Sequence, residues 1–413
     1  MLNGFTNGSQ LPPRVGPLAR AREDRCIALA DLHLAKHSSP EVVSDLADLL
    51  RAHAGCQLVF VGDFFDLVAD APNRDPRDSI REVMGSHPQL RAALGGHLDG
   101  GGTLLFCSGN HDAALGHDIF RDVLLESIGP SHANRERLSS VPWFVRLGKI
   151  HIEHGHHYDP DNAVADPLTL HERSLGIHFS ADFVHPTGAY RYLNANDDTP
   201  LKLFLSAFRW YGLRAPHVVY RYFHAAFGAL ARSGPFYRGQ ASDTQATASQ
   251  DAFVNRWGLD DKIVMTLREI GERPTLQSFS DTFARLYMDR VLASTICLSG
   301  GAAVLGGQPQ LGGLALGGGM ALMTASWLRG HSRYAGNVVQ YLHQAQQKLR
   351  QCTDAELVVF GHTHREATEE GYANTGSFAF PHESPGRPFL ELERIDSSPG
   401  AHRRHWPSNP GTA

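Results

Sequence analysis

Five short segments that carry Asp, His and Asn directly behind apolar runs constrain this chain more than any other feature. Asp31-Leu32-His33 follows CIALA, Gly62-Asp63-Phe64-Phe65-Asp66 follows LVFV, and Gly109-Asn110-His111-Asp112 follows TLLFCS. His154-Gly155-His156 ends KIHIE, and Gly361-His362-Thr363-His364 ends AELVVF. Apolar runs that alternate with helical patterns are the rhythm of an α/β domain, and ligands bind where such strands end. Between the first two runs, residues 41–53 place Val42, Leu46, Leu49 and Leu50 at helical spacing, with Ser38 or Ser39 as cap and Pro40 at the first helical position. YANTGSF and PFLELERI read as further strands. The expected fold is α/β, with a parallel or mixed sheet and crossover helices.

The residue types on these loops point to metal. Carboxylate, amide and imidazole donors suit borderline divalent ions such as Mn, Fe, Zn or Ni, Mn being favoured, and not thiolate-bound ones. Asp-x-His and His-x-His put alternate residues on one face of an extended segment, so both side chains of a pair can reach one ion. Glycines before Asp63, Asn110 and His362 let the backbone turn sharply. The donors outnumber what one ion with an open position needs, and two divalent ions are the economical answer. Either pair alone is commonly a solvated loop; five such loops in succession are not.

The blocks D-x-H, G-D-x-x-D, G-N-H-D, H-G-H and G-H-x-H together resemble the calcineurin-like metallophosphoesterases, over about residues 25–159 and 352–393. The resemblance implies a four-layer αββα sandwich of two facing sheets flanked by helices, and a dimetal phosphoester hydrolase. It implies that Asp31, His33 and His364 hold one ion, that Asn110, His154 and His362 hold the other, and that Asp63 bridges them. His111 corresponds to the family's non-ligand catalytic histidine, which assists the leaving group. Asp66 and Asp112 are expected to orient imidazoles, because ligating and catalytic histidines need a fixed tautomer. His156 is a candidate for substrate contact or the metal edge. Two such ions lower the pKa of a shared water, so that hydroxide attacks phosphorus in line. The blocks LADLHL, GDFFD, HGHHYD and YANTGSF are most similar to the branch containing UDP-2,3-diacylglucosamine diphosphatases, from which the chain departs at His111 and by a longer insertion. The substrate class expected is a membrane-derived or nucleotide-linked phosphodiester or pyrophosphate. A soluble nucleotide phosphodiesterase or protein phosphatase is the alternative, and a non-catalytic scaffold a lesser one.

Composition sets the outer bounds. A mean hydropathy of -0.26 over 413 residues excludes a polytopic membrane protein, and 42% apolar residues with a net charge of -5 exclude a wholly disordered chain. The mild acidity gives no reason to expect nucleic acid. Five scattered cysteines without a CxxC pair suit a reducing cytoplasm. Residues 1–24 read as a disordered lead-in without a secretory signal, and 396–413 as a disordered tail. The hydrolase domain is then expected over 25–160 and 351–395, with a mostly helical insertion over 161–350.

Two stretches of that insertion suggest a membrane partner and a place at the inner face of the membrane. Residues 199–240 hold six Lys and Arg, ten aromatics and no acidic residue, a mixture that suits either a lipid headgroup layer or a packed cap. Residues 291–328 carry no charge and divide at Gln308-Pro309-Gln310 into arms of about 17 and 18 residues, near the length that spans a bilayer. Arg290, Arg329 and Arg333 flank them, as expected of a hairpin with both ends in the cytoplasm. Gly313 and Gly317, four apart, are expected to let the two arms approach closely. The competing reading is a buried helical pair in a soluble cap.

Overall fold

Strand β1 (Arg25–Leu29) shows how the apolar runs are used. Ile27 and Leu29 pack on one side with Leu46, Leu50, Phe60 and Phe106, whereas Cys26 and Ala28 pack on the other with Val59, Leu105, Val145, Ile152 and Val359. Apolar residues at every position therefore serve two cores, as in a strand covered on both faces. The computed structural model describes residues 25–407 apart from 69–73, 170–172, 190–199, 238–242, 331–336, 383–384 and 395–396. The expected lead-in, 1–24, lies outside the described residues.

The fold is mixed α/β with two mixed sheets. In the six-stranded sheet β1 lies between β10 (Arg387–Glu393), antiparallel, and β2 (Gln57–Val61), parallel; β3 (Thr103–Cys107) and β4 (Leu138–Val141) continue beyond β2. The five-stranded sheet runs β5 (Phe144–Leu147), β6 (Ile150–Glu153), β7 (Leu357–Phe360), β9 (Tyr372–Thr375) and β8 (Glu366–Glu369). One apolar core joins residues of both sheets, and a second fills the space between the six-stranded sheet and helices α1 (Pro40–Ala52), α2 (Pro76–Ser86), α3 (Pro88–Asp99) and α4 (Asp118–Ile128). In α1 the cap is Ser39, whose hydroxyl accepts from Glu41 N at 3.3 Å, and Pro40 occupies the first turn. Leu46 and Leu49 are fully buried there, each contributing about 1.5–3 kcal/mol of burial free energy.

Two corrections concern the boundaries. Gly400–Trp406, expected to be disordered tail, is β11, an edge strand paired along its length with β10. Its backbone finds partners while its Arg403 and Arg404 stay exposed, a charged edge that sequence polarity disguises as coil. The insertion is also not one body. The chain forms two compact units, the first comprising the described residues up to 172 together with 239–272 and 341 onward, the second 173–238 and 273–340. Segment 239–272 belongs to the first because α9 (Asp243–Trp257) and α10 (Asp261–Ile270) dock there. Phe253 packs on the rings of Trp143 and Phe144, Arg256 pairs with Asp118, and Arg268 with Asp166.

The second unit is helical. It contains α5 (Leu175–Phe179), a π-turn leading to α6 (His185–Thr187), then α7 (Pro200–Tyr211), α8 (Ala215–Ala231), α11 (Phe279–Arg285), α12 (Met288–Leu305) and α13 (Pro309–Leu328). α14 (Asn337–Thr353) leads back to the first unit. Within 199–240, Arg214 and Arg221 donate to the carbonyls of Thr187 and Asp182, and Arg232 pairs with the Asp182 carboxylate, so these cations serve the unit's own packing.

Candidate metal centre

Each of the five loops leaves the end of a strand, and backbone bonds lash the loops to one another. Leu32 N and His33 N both donate to Asp63 O at 2.9 Å, and Gly361 N donates to His154 O at 3.1 Å. Asn374 Nδ2 donates to Gly361 O at 2.7 Å and Ser377 Oγ to Asp31 O at 2.8 Å, so the YANTGSF block acts as a brace. Asp31, His33, Asp63, His362 and His364 all adopt left-handed backbone, with φ of 55°, 45°, 50°, 66° and 56°. Non-glycine residues there cost on the order of 1–3 kcal/mol each and persist only where the surroundings over-determine them. Three glycines make room: a Cβ on Gly62 would overlap the His154 imidazole, one on Gly109 the Asp63 carboxylate, and one on Gly361 would crowd Ala30 and Asp31.

The side chains converge. His33 Nε2 faces His364 Nε2 at 3.3 Å, and Asp31 Oδ1 lies 3.3 Å from His364 Nε2 and 3.7 Å from His33 Nε2. Asp63 Oδ2 is 3.8 Å from His33 Nε2 and 3.2 Å from His154 Nε2, and Asn110 Oδ1 is 3.2 Å from the same nitrogen. Asp63 therefore stands between two clusters of donors. Among the described residues, three overlapping groups could hold a metal ion: Asp31, His33 and His364; Asp31, Asp63 and His154; and His33, Asp63 and His111. His111, expected to act without ligating, thus lies within ligating range. The donors fit divalent ions, because Asp31 Oδ1 is fully buried without a hydrogen-bond partner and lone pairs of oxygen and nitrogen crowd one point.

His154 Nδ1 sits 2.8 Å from the Val61 carbonyl, which can only accept, so Nδ1 carries the hydrogen and Nε2 turns toward Asp63. Without metal, burial alone would depress His154, but the Asp63 and Asp31 carboxylates outweigh it and raise its pKa to about 10. His111 is pushed up to about 9 in the same way, against burial, by Asp66 and Asp63. Asp31 is held well below the usual carboxylate range despite burial by His364 and His33. Protons thus stand where cations would neutralise the carboxylates.

Asp66 accepts from His111 Nδ1 at 3.1 Å and so orients it. Asp112 does not meet an imidazole. Its carboxylate takes Phe64 N at 2.7 Å, Phe65 N at 3.2 Å and Gly109 N at 2.7 Å, tying the Asp63 loop to the Asn110 loop. Burial and the Asp63 charge raise it to about 7. His156 is buried beside His154, ring centroids 5.4 Å apart, with its Nδ1 lacking a hydrogen-bond partner, and burial drives its pKa well down. The His362 ring lies beside that of His154, centroids 5.2 Å apart, with its Nε2 held 3.0 Å from Asp159 Oδ2. Asp159, in the same HGHHYD block as His154, is a site residue that the ligand pattern does not single out; it also receives Asn162 Nδ2 at 2.7 Å, and Asn162 Oδ1 accepts from Asn110. Histidines outside the loops are used structurally, as with His87 on the Ala35 carbonyl and His97 on that of Cys56.

No protein-family model and no curated protein matches the chain.

Proposed function

We propose that the chain is a dimetal-dependent phosphoester hydrolase of the calcineurin-like metallophosphoesterase type, its two sheets forming that family's sandwich. The observation that carries the reading is the position of Asp63, whose one carboxylate oxygen lies within 4 Å of an imidazole from each donor cluster, His33 at 3.8 Å and His154 at 3.2 Å. Asp31, His33 and His364 would hold one ion, and Asn110, His154 and His362 the other, with Asp63 between them. Bound there, two divalent cations supply an activated water at neutral pH and offset the charge on phosphate oxygens.

The chain's own residues supply the rest. Asp66 fixes the His111 ring by its Nδ1 hydrogen and supports its positive charge, leaving the Nε2 proton for a departing oxygen. The His111 ring lies edge-on to that of His33, centroids 4.8 Å apart, so its proton is held beside the donor cluster. Phe380 stacks on the His364 ring at 6.2 Å and forms an apolar wall. The substrate class we assign is a phosphodiester or pyrophosphate, membrane-derived or nucleotide-linked.

Hydrolysis of a phosphodiester panel by the full chain loaded with Mn, alongside UDP-linked and lipid-linked pyrophosphates, tests the reading. Turnover that a chelator abolishes and Mn restores is expected. No turnover on any member after verified metal loading would overturn it.

A further inference from the structure

Helices α12 and α13 form an antiparallel pair whose exposed apolar surface has no counterpart among the described residues. Between Arg290 and Arg329 there is no charged residue. The two helices are 18 and 20 residues long, yet only 22% and 17% of an 18-residue apolar stretch in each is buried. That separates them from apolar core helices of soluble proteins, which are mostly enclosed. Of the nineteen large hydrophobic side chains exposed among the described residues, nine lie on this pair; Leu298 and Leu314 are each 76% exposed and Leu305 at the tip is 91% exposed. A continuous apolar surface of this kind is not left to water.

The pair is packed on itself from the inside. A Cβ on Gly300 would meet the backbone at Gly312 and Leu316, one on Gly312 would meet Val304, and one on Gly319 would meet Cys297. Gly313 and Gly317, expected from their spacing to form this seam, have open space beside them. Most of the large side chains are therefore left facing outward, with Ile296, Leu316, Leu322 and Met323 half-buried and Met288 enclosed at the base.

Depth and polarity are ordered along the hairpin. At its base, Arg290 donates to Gly330 O at 2.7 Å and Ser326 Oγ at 3.2 Å, closing the two open ends together. Trp327, 60% exposed, stands at the same level, where aromatic rings sit at a membrane surface. From Arg290 to the Gly306-Gly307-Gln308 tip the rise is about 25 Å, most of the hydrocarbon thickness of a bilayer. The two exposed threonine hydroxyls are satisfied locally, Thr295 Oγ1 donating to Val291 O and Thr324 Oγ1 to Met320 O, each at 2.9 Å. Such self-satisfaction is what a solvent without hydrogen-bonding partners demands.

We propose that the α12–α13 hairpin inserts into the hydrocarbon interior of a lipid bilayer from one face, with Arg290, Trp327 and Arg329 at the headgroup level and the glycine-glycine-glutamine tip deepest. The inference stands on the second unit alone and does not depend on the hydrolase reading. Arg214, Arg221 and Arg232 add nothing to it, since they bind within their own unit.

The full chain, purified in detergent and mixed with phosphatidylcholine–phosphatidylglycerol vesicles, is floated through a density gradient, then washed in 1 M NaCl and alkaline carbonate. The wild type is expected to float and to resist both washes. Leu298→Asp with Leu314→Asp, both at exposed positions, should reduce the floating fraction at least tenfold while leaving Mn-dependent hydrolysis of a soluble phosphodiester unchanged. Should that pair perturb folding, Leu298→Trp supplies a conservative reporter, expected to be quenched by lipids brominated deep in their chains. Release of the wild type by carbonate, absence of quenching, or a detergent-free soluble oligomer that the double variant dissociates would each overturn the proposal, the last by assigning the face to a second copy of the chain. Failure of hydrolysis with flotation intact would instead count only against the proposed activity.

Discussion

The loop cluster and the α12–α13 hairpin both depend on glycine, for different physical ends. At Gly62 and Gly109 the missing Cβ admits a polar side chain delivered from a distant loop, His154 in one case and Asp63 in the other. At Gly300, Gly312 and Gly319 it admits the backbone or small side chains of the neighbouring helix. In the first region the chain is bent, left-handed at five non-glycine residues and held by carboxylates that bind backbone N–H groups. In the second it is regular helix without a charge between Arg290 and Arg329. A misplaced atom is thus expected to be felt as lost chemistry in one and as lost packing in the other.

The largest effect should come from His111. His111→Ala removes a held proton without removing a donor from the Asp31 and His154 clusters, so kcat is expected to fall about 10²–10⁴-fold, with metal content by plasma emission unchanged. Loss of metal as well would make His111 a ligand instead. Gly62→Ala tests the glycine itself: from Gly62's left-handed backbone, φ 87°, the new methyl group must displace the His154 imidazole, and roughly a hundredfold loss of kcat/KM is expected from misplaced geometry. Wild-type kinetics for this variant would break the comparison. Asp159→Ala removes the carboxylate now holding His362, and a tenfold to hundredfold change in metal affinity is expected by titration, the scale set by groups that orient ligands. The smallest effect should be that of Gly319→Leu, which wedges α12 from α13 at Cys297 yet should leave hydrolysis of a soluble phosphodiester within about twofold in steady-state assays, because it lies outside the metal-centre unit.

Much of this arrangement could be read before the fold was known. The loops announce themselves because each ligand type is rare behind an apolar strand, and α1 because Ser39, Pro40 and its apolar stripe agree. What escaped did so for definable reasons. Strand β11 carries Arg and His on both faces between Ala401 and Trp406, so pairing with β10 is what reveals it. Segment 239–272 has the same helical pattern as its neighbours, and its place in the first unit rests on Phe253 and Arg268 finding partners far away in sequence. The register of the hairpin seam is a rotation of α13 about its axis, which a helix apolar on every side does not encode; spacing favoured Gly313 and Gly317, and packing chose Gly312 and Gly319. Asp112 illustrates a subtler limit. A carboxylate beside a histidine suggests an imidazole partner, but the strained turn at Asp63 leaves Phe64 N and Phe65 N to be satisfied, and Asp112 satisfies them.

The central claim is that Asp63 joins two metal positions, and counting metal tests it most directly. Wild-type chain dialysed against Mn should retain about two ions per chain, and Asp63→Ala should lose most of that metal together with activity. An Asp63→Ala protein that keeps both its metal and its full turnover would contradict the account.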